Sequence, residues 1–239
     1  MEVLADAVLN SLFDPQELER EKLVIFEEIK MRRDRPEIYL FEEMMAQAYT
    51  THPYRLPISG TQESVAAISR DDILAYMERH YHPENFTIVV VGDLKAAEVL
   101  AHSRRLFGDL PPRPQPAEED LPQEPLPEQH RFFLEEQEIN QTHLALAFPI
   151  PAFKHPDSAA LSVLAQILGQ GEASRLNERL RHELGLVYRI SSSLFSSRDP
   201  GLFQVRATLD AAKAPEVLRE ILSSLFTLRH FPVGEEELE

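Results

Sequence analysis

Along the first third of the chain, apolar residues recur every three to four positions, a period that predicts helices. Val3, Leu4, Ala7 and Val8 share one side of a helix that opens with no capping residue before it. Asp14 followed by Pro15 reads as an N-cap with proline in the first turn, opening a helix that runs to about Arg33. Pro36 restarts a helix through Ala48, Ser69 caps one ending near His80, and Asp93 to Leu106 forms another, stopped by Gly108. Phe86 to Val91 is a nearly continuous apolar run between Pro83 and Gly92, which predicts a buried strand.

After Pro111 the pattern breaks. Pro111, Pro112, Pro114, Pro116, Pro122, Pro125 and Pro127 stand with five acidic residues in the stretch ending at Gln129, a composition that favours an extended, semi-rigid tether. Beyond it the period shifts toward two. Arg131 to Gln137, Thr142 to Phe148, Val187 to Leu194 and Leu202 to Asp210 predict strands, the last alternating Phe203, Val205, Ala207 and Leu209 with polar residues as if one face were wet. Helices are predicted over Asp157 to Leu168, Ser174 to Leu184 with Gly185 as its stop, and Pro215 to Leu228. Consecutive strands without strict helix alternation indicate an α+β fold with an antiparallel sheet packed against helices. The chain thus divides into 1–109, a linker over 110–129, and 130–239.

Composition narrows the function classes. An apolar content of 43% supports a globular core, and a formal charge of −16 argues against nucleic acid and anionic membrane as partners. With no cysteine there are no disulfides and no thiolate chemistry, and no compartment is selected. No apolar run approaches the length of a membrane-spanning helix.

The sharpest chemical feature lies in ELEREKLVIFEEIKM. On a helical wheel Glu17, Glu21 and Glu28 fall within about 40° of one another, flanked by Leu18, Val24, Ile25 and Ile29. Packed inward, these carboxylates require a cation, a metal or a proton. Facing outward they form a solvated edge, with Glu28 pairing with Arg32 for ~0.3 to 0.5 kcal/mol. Histidine partners for a metal are lacking, since the nearest pair, His80 and His82, is spaced two apart and reads as surface residues. Glycines in Gly169-Gln170-Gly171-Glu172 lack the preceding strand and the lysine of a phosphate-binding loop.

Three stretches carry a resemblance. LADAVLNSLFDPQELEREKLVIFEEIKMRRDRPEIYLFE, then HPYRLPISGTQESVAAISRDDILAYMERHYHPENFTIVVVGDL, and later LGQGEASRLNERLRHELGLVYRISSS resemble the inverted-zincin peptidases, the family of pitrilysin, insulin-degrading enzyme and the mitochondrial processing peptidase. The likeness is densest over residues 1–109. It implies an insulinase-like metalloenzyme architecture of homologous domains, with this chain holding the later half of one and the earlier half of the next. In that family an upstream HxxEH motif and a glutamate from a later helix bind zinc. Matched by position, the later glutamate is Glu28, and the supporting acid seven residues before it is Glu21. The resemblance also gives Arg181 and Tyr188 the role of holding the scissile peptide and its developing oxyanion; from the residues alone they read equally as a helix-end cation and a strand aromatic.

HxxEH itself is absent. Together with the uncapped first helix, this suggests a fragment of a longer zinc metalloendopeptidase, acting on peptides inside a two-domain cavity and inactive as the isolated chain. The parent is expected to form a homodimer or to pair with a sister subunit. The alternatives are a non-catalytic partner subunit of such a peptidase and a plain acidic binding module.

Overall fold

Helices begin where the sequence supplies caps. At Ser69 the hydroxyl accepts from the Asp72 amide while the Asp72 carboxylate accepts from the Ser69 amide at 2.8 Å, a reciprocal box that opens a helix over Arg70–His80. The computed structural model describes residues 1–112 and 121–238. Its first half contains α1 (Glu2–Leu9), α2 (Pro15–Arg33), α3 (Pro36–Ala48), α4 (Gln62–Ala67), α5 (Arg70–His80) and α6 (Ala96–Phe107). The second half contains β1 (Thr142–Ile150), α7 (Ser158–Gly169), a π-helical segment (Asn177–Glu183), β2 (Val187–Phe195), β3 (Gly201–Leu209), α8 (Ala214–His230) and α9 (Glu235–Leu238). The chain packs as two compact units, one drawn from Met1–Met31 and Ile58–Asp120, the other from Arg32–Pro57 and Leu121–Glu239.

In the first unit polar ties do much of the joining. Arg70 donates to the Leu12 and Phe13 carbonyls, each at 2.9 Å, which holds the turn where Phe13 adopts φ 47°. Lys22 is buried and donates to Glu19 at 2.9 Å and to the Ala66 carbonyl at 3.4 Å. The run expected as a buried strand, Phe86 to Val91, forms no strand, and Val89 is 78% and Val91 92% exposed. A strand is held by a neighbour's amides and carbonyls, and among the described residues no strand lies beside this run.

The second unit is built on an antiparallel sheet in the order β1-β3-β2, with β1 paired in unbroken register from Thr142 opposite Leu209 to Ile150 opposite Gly201. One face of β3 turns Phe203, Val205, Ala207 and Leu209 into a core closed by Ala165 and Leu168 of α7, by Leu176 and Leu180, and by Val217 and Ile221 of α8. Each fully buried leucine, isoleucine or valine of this core stabilises the fold by about 1.5–3 kcal/mol. The opposite face is not wet, contrary to the alternation. Helix α3 lies on it, with Met44, Met45 and Tyr49 packed on Leu202, so that Gln204 and Thr208 are buried as well. Residues 32–57 thus cover a face for which 130–239 has no helix of its own.

One further expectation changes: Arg131 to Gln137 forms no strand, and Phe132 is 84% exposed. Of the proline-rich tether, residues 113–120 lie outside the described residues; past its end, Arg131 donates to the Gln47 and Ala48 carbonyls at 2.7 and 3.1 Å, and the Tyr39 hydroxyl donates to Glu135 at 2.6 Å. An arginine at the exposed carbonyls of a helix end is favoured by hydrogen bonding and by the dipole. Among the described residues no helix is long and apolar enough to cross a membrane.

Candidate active site

Helix α2 turns Leu18, Lys22, Ile25, Phe26 and Ile29 toward its unit and leaves Glu17, Glu21, Val24, Glu28 and Met31 exposed. The carboxylate stripe therefore does not pack inward within the unit. Nor does the surface pairing form, because Arg32 is taken by Glu42, with Nε and Nη2 donating at 2.8 and 2.6 Å. Glu17 is paired instead with Arg20 one turn later. Glu21 and Glu28 stand on a stripe that includes two exposed apolar side chains, Val24 and Met31.

Among the described residues no three His, Asp or Glu side chains converge as a metal site. A zinc centre needs three protein ligands, so these residues do not by themselves fit zinc. His82, expected at the surface, is buried; its ring bonds Glu84 at 2.9 Å, which seats it against the turn Pro83–Asn85. His80 stacks on Tyr76 instead, with ring centroids 4.4 Å apart.

Arg181 and Tyr188 both stand on irregularities of one residue. The helix carrying Arg181 is π-wound over Asn177–Glu183 rather than the α-helix its period predicts; the Leu184 amide donates to the Arg179 carbonyl, five residues back, at 3.1 Å. Buried Asn177 fixes the segment by donating to the Gly171 carbonyl, the Ser174 hydroxyl and the Ile190 carbonyl. Four residues after the segment, the register of β2 on β3 slips between Val187, opposite Leu209, and Arg189, opposite Thr208. Tyr188 is the extra residue. The slip turns two consecutive side chains, Tyr188 and Arg189, outward between buried Val187 and Ile190. π-turns and bulges change which way a side chain points, and both concentrate at functional sites.

Each member of the pair meets a carboxylate that sequence reasoning missed. Arg181 Nη1 lies 2.8 Å from both oxygens of Glu172, and His182 Nε2 lies 3.2 Å from the same carboxylate. The hydrogen bond and charge of Arg181 hold Glu172 below the usual carboxylate range. The Tyr188 hydroxyl donates to Asp210 at 2.7 Å, and Lys213 sits 3.3 Å from the same side chain. That hydrogen bond, then the charge of Asp210, pushes the phenol up, and the hydrogen bonds from Tyr188 and then Lys213 hold Asp210 down. Both partners are solvent-exposed, where such contacts exchange readily. Glu172 was within reach of the sequence, as the residue after the Gly171 turn, whereas Asp210 looked like one more polar position of an alternating strand.

Comparison with known proteins places the sequence and fold of the chain in a family. The sequence profile described as Peptidase M16 inactive domain covers residues 67–239, and the one described as Insulinase (Peptidase family M16) covers residues 1–62. An uncharacterized zinc protease of Bacillus subtilis is 30% identical over all of this chain and 57% of its own length. Another, of Mycobacterium leprae, is 31% identical over 94% of this chain and 52% of its own. The crystal structure of a protease from Helicobacter pylori superposes with a TM-score of 0.86 at 26% identity, covering 98% of this chain and 58% of that one. The chain spans little more than half the length of these relatives. With α-helices and an antiparallel sheet arranged as in solved relatives and profile matches along nearly its whole length, the chain belongs to peptidase family M16.

Proposed function

We propose that the chain is the central part of a zinc-dependent endopeptidase that hydrolyses peptides or unfolded segments within a two-domain cavity. In this reading Glu28 is the one metal ligand the chain contributes, Glu21 supports it, and Arg181 and Tyr188 bind the substrate backbone. The observation that carries it is the placement of Arg181 on a π-turn and Tyr188 on a bulge, both directed outward with displaceable carboxylates as partners. A guanidinium fork and a protonated phenol are suited to a peptide carbonyl that gains negative charge. Glu172 and Asp210 occupy those donors, and substrate takes their place. Peptides are the substrates, and the longer protein acts as a homodimer or with a sister subunit.

A second reading, a non-catalytic partner subunit that clamps substrate, takes its support from the inactive-domain profile over residues 67–239. Metal analysis separates the two. In the longer protein that the first reading implies, Glu28→Gln strips or severely weakens zinc because the amide keeps the shape and loses the charge. Glu21→Gln retains metal and loses roughly 10- to 100-fold in turnover. Normal zinc content in the Glu28→Gln protein overturns the ligand assignment. The isolated chain, lacking a complete ligand set, shows no chelator-sensitive hydrolysis of unfolded peptides; robust hydrolysis by it removes the central-part reading.

A further inference from the structure

Between α3 and the turn Pro53–Arg55, the loop Thr50-Thr51-His52 directs five donors at one carboxylate. Glu124 Oε1 accepts from the Thr50 amide and hydroxyl, both at 2.7 Å, while Oε2 accepts from the Thr51 amide at 2.9 Å, the Thr51 hydroxyl at 3.0 Å and the His52 amide at 2.9 Å. The Thr51 hydroxyl has a second acceptor in the Gln123 carbonyl, at 3.3 Å. The site sits just past the C-terminal end of α3, where a helix dipole disfavours an anion. So dense a donor set at an unfavourable location marks a loop shaped for a carboxylate.

The loop is held in place without Glu124. His52 is buried, and its Nδ1 accepts from the Tyr54 amide at 3.2 Å. The Tyr49 hydroxyl donates to the Pro200 carbonyl at 2.8 Å, and the Tyr54 hydroxyl donates to Ser197 at 2.6 Å. The three rings pack together, with His52 and Tyr54 centroids 4.1 Å apart and Tyr49 and Tyr54 centroids 5.5 Å apart. The segment that brings the ligand is held far less firmly. From Leu121 to His130 every residue is exposed except Glu124, and prolines at 122, 125 and 127 keep it from folding on itself. A preorganised receptor filled by one side chain of an otherwise exposed strap is an exchangeable arrangement.

We propose that Thr50-Thr51-His52 is a carboxylate-binding site, that Glu124 is its built-in ligand, and that a carboxylate supplied from elsewhere takes the site when Glu124 is removed or displaced. This does not depend on the chain's being part of an active peptidase. The test uses the 239-residue chain and acetate. In Glu124→Ala the Thr50, Thr51 and His52 amides exchange hydrogen roughly tenfold or more faster, and the melting temperature falls by roughly 5 °C. Acetate restores both at concentrations on the order of 10 mM, chloride at equal ionic strength does not, and adding Thr50→Val with Thr51→Val abolishes the rescue. Unchanged amide exchange in Glu124→Ala, equal rescue by chloride, or full rescue without the threonine hydroxyls each overturns the proposal. Should Glu124→Ala not fold, Glu124→Leu keeps a side chain of similar size without an acceptor oxygen, and a melting temperature that rises no more with acetate than with chloride counts against the site.

Discussion

A phenol that donates to a carboxylate in the resting protein has to change partner before it can donate to a substrate. Tyr188 is in that position with Asp210, and Arg181 with Glu172. The Tyr188–Asp210 contact is measurable without any activity. Difference titration of phenolate absorbance between the chain and its Tyr188→Phe variant is expected to show Tyr188 ionising above the ordinary phenol value of about 10. Asp210→Asn is expected to bring it back toward that value, because the amide removes both the acceptor charge and the repulsion of phenolate. A titration unmoved by Asp210→Asn would mean that the hydrogen bond does not persist in solution. In the longer peptidase of the proposed function, Arg181→Ala and Tyr188→Phe are expected to lower kcat/KM while leaving metal content and the unfolding transition unchanged. Wild-type activity in both variants would leave the pair as a helix-end cation and an exposed strand aromatic.

At the scale of elements, close approach explains a glycine whose chemistry had only been excluded. A Cβ on Gly169, the last residue of α7, would lie 2.5 Å from the Ser192 amide nitrogen and 2.7 Å from its hydroxyl, which donates to the Ala165 carbonyl at 2.7 Å. Gly169→Ala is therefore expected to push α7 off β2 and to destabilise the chain by about 1–3 kcal/mol, read from the denaturant midpoint. A midpoint equal to wild type would show that the helix shifts without cost. The helices were legible because caps and period are local: Asp14, Ser69 and Pro36 mark their starts in the sequence as in the fold. Strands were legible only where partners exist. Thr142–Ile150 and Gly201–Leu209 pair with each other, whereas Phe86 to Val91 carries the stronger apolar run and pairs with nothing among the described residues. Apolar pattern reports what a segment can bury, and a strand also needs an edge to join. The same limit hid the cover of β3, since α3 lies about 150 residues earlier in the chain. The π-turn at Arg181 and the slip at Tyr188 were beyond reach for another reason: each is a single residue of excess, which leaves composition and period intact.

Charge sets the behaviour of the whole molecule in acid. At neutral pH the chain carries a formal charge of −16, and this self-repulsion opposes compaction. Lowering the pH toward 5 neutralises part of it while the Glu124 carboxylate stays ionised. Although burial raises the pKa of Glu124, the hydrogen bonds from the His52 amide, the Thr50 hydroxyl and the Thr51 and Thr50 amides outweigh it and bring it down to about 2. Unfolded, the same group titrates near 4.5. A carboxylate with a depressed folded value contributes its full stabilisation above the unfolded value and loses it as pH falls toward the folded one. Stability is thus expected to hold or rise from pH 7 to about 5 and to decline between about 4.5 and 2. Glu124→Gln cannot titrate there. The gap in melting temperature between wild type and Glu124→Gln is expected to be constant above about pH 5 and to close progressively below it. A gap that persists unchanged to pH 2 would mean that the strap is held by contacts other than the Glu124 charge. A gap of zero at neutral pH would mean that the neutral amide oxygen of glutamine satisfies the donors as well as the carboxylate does.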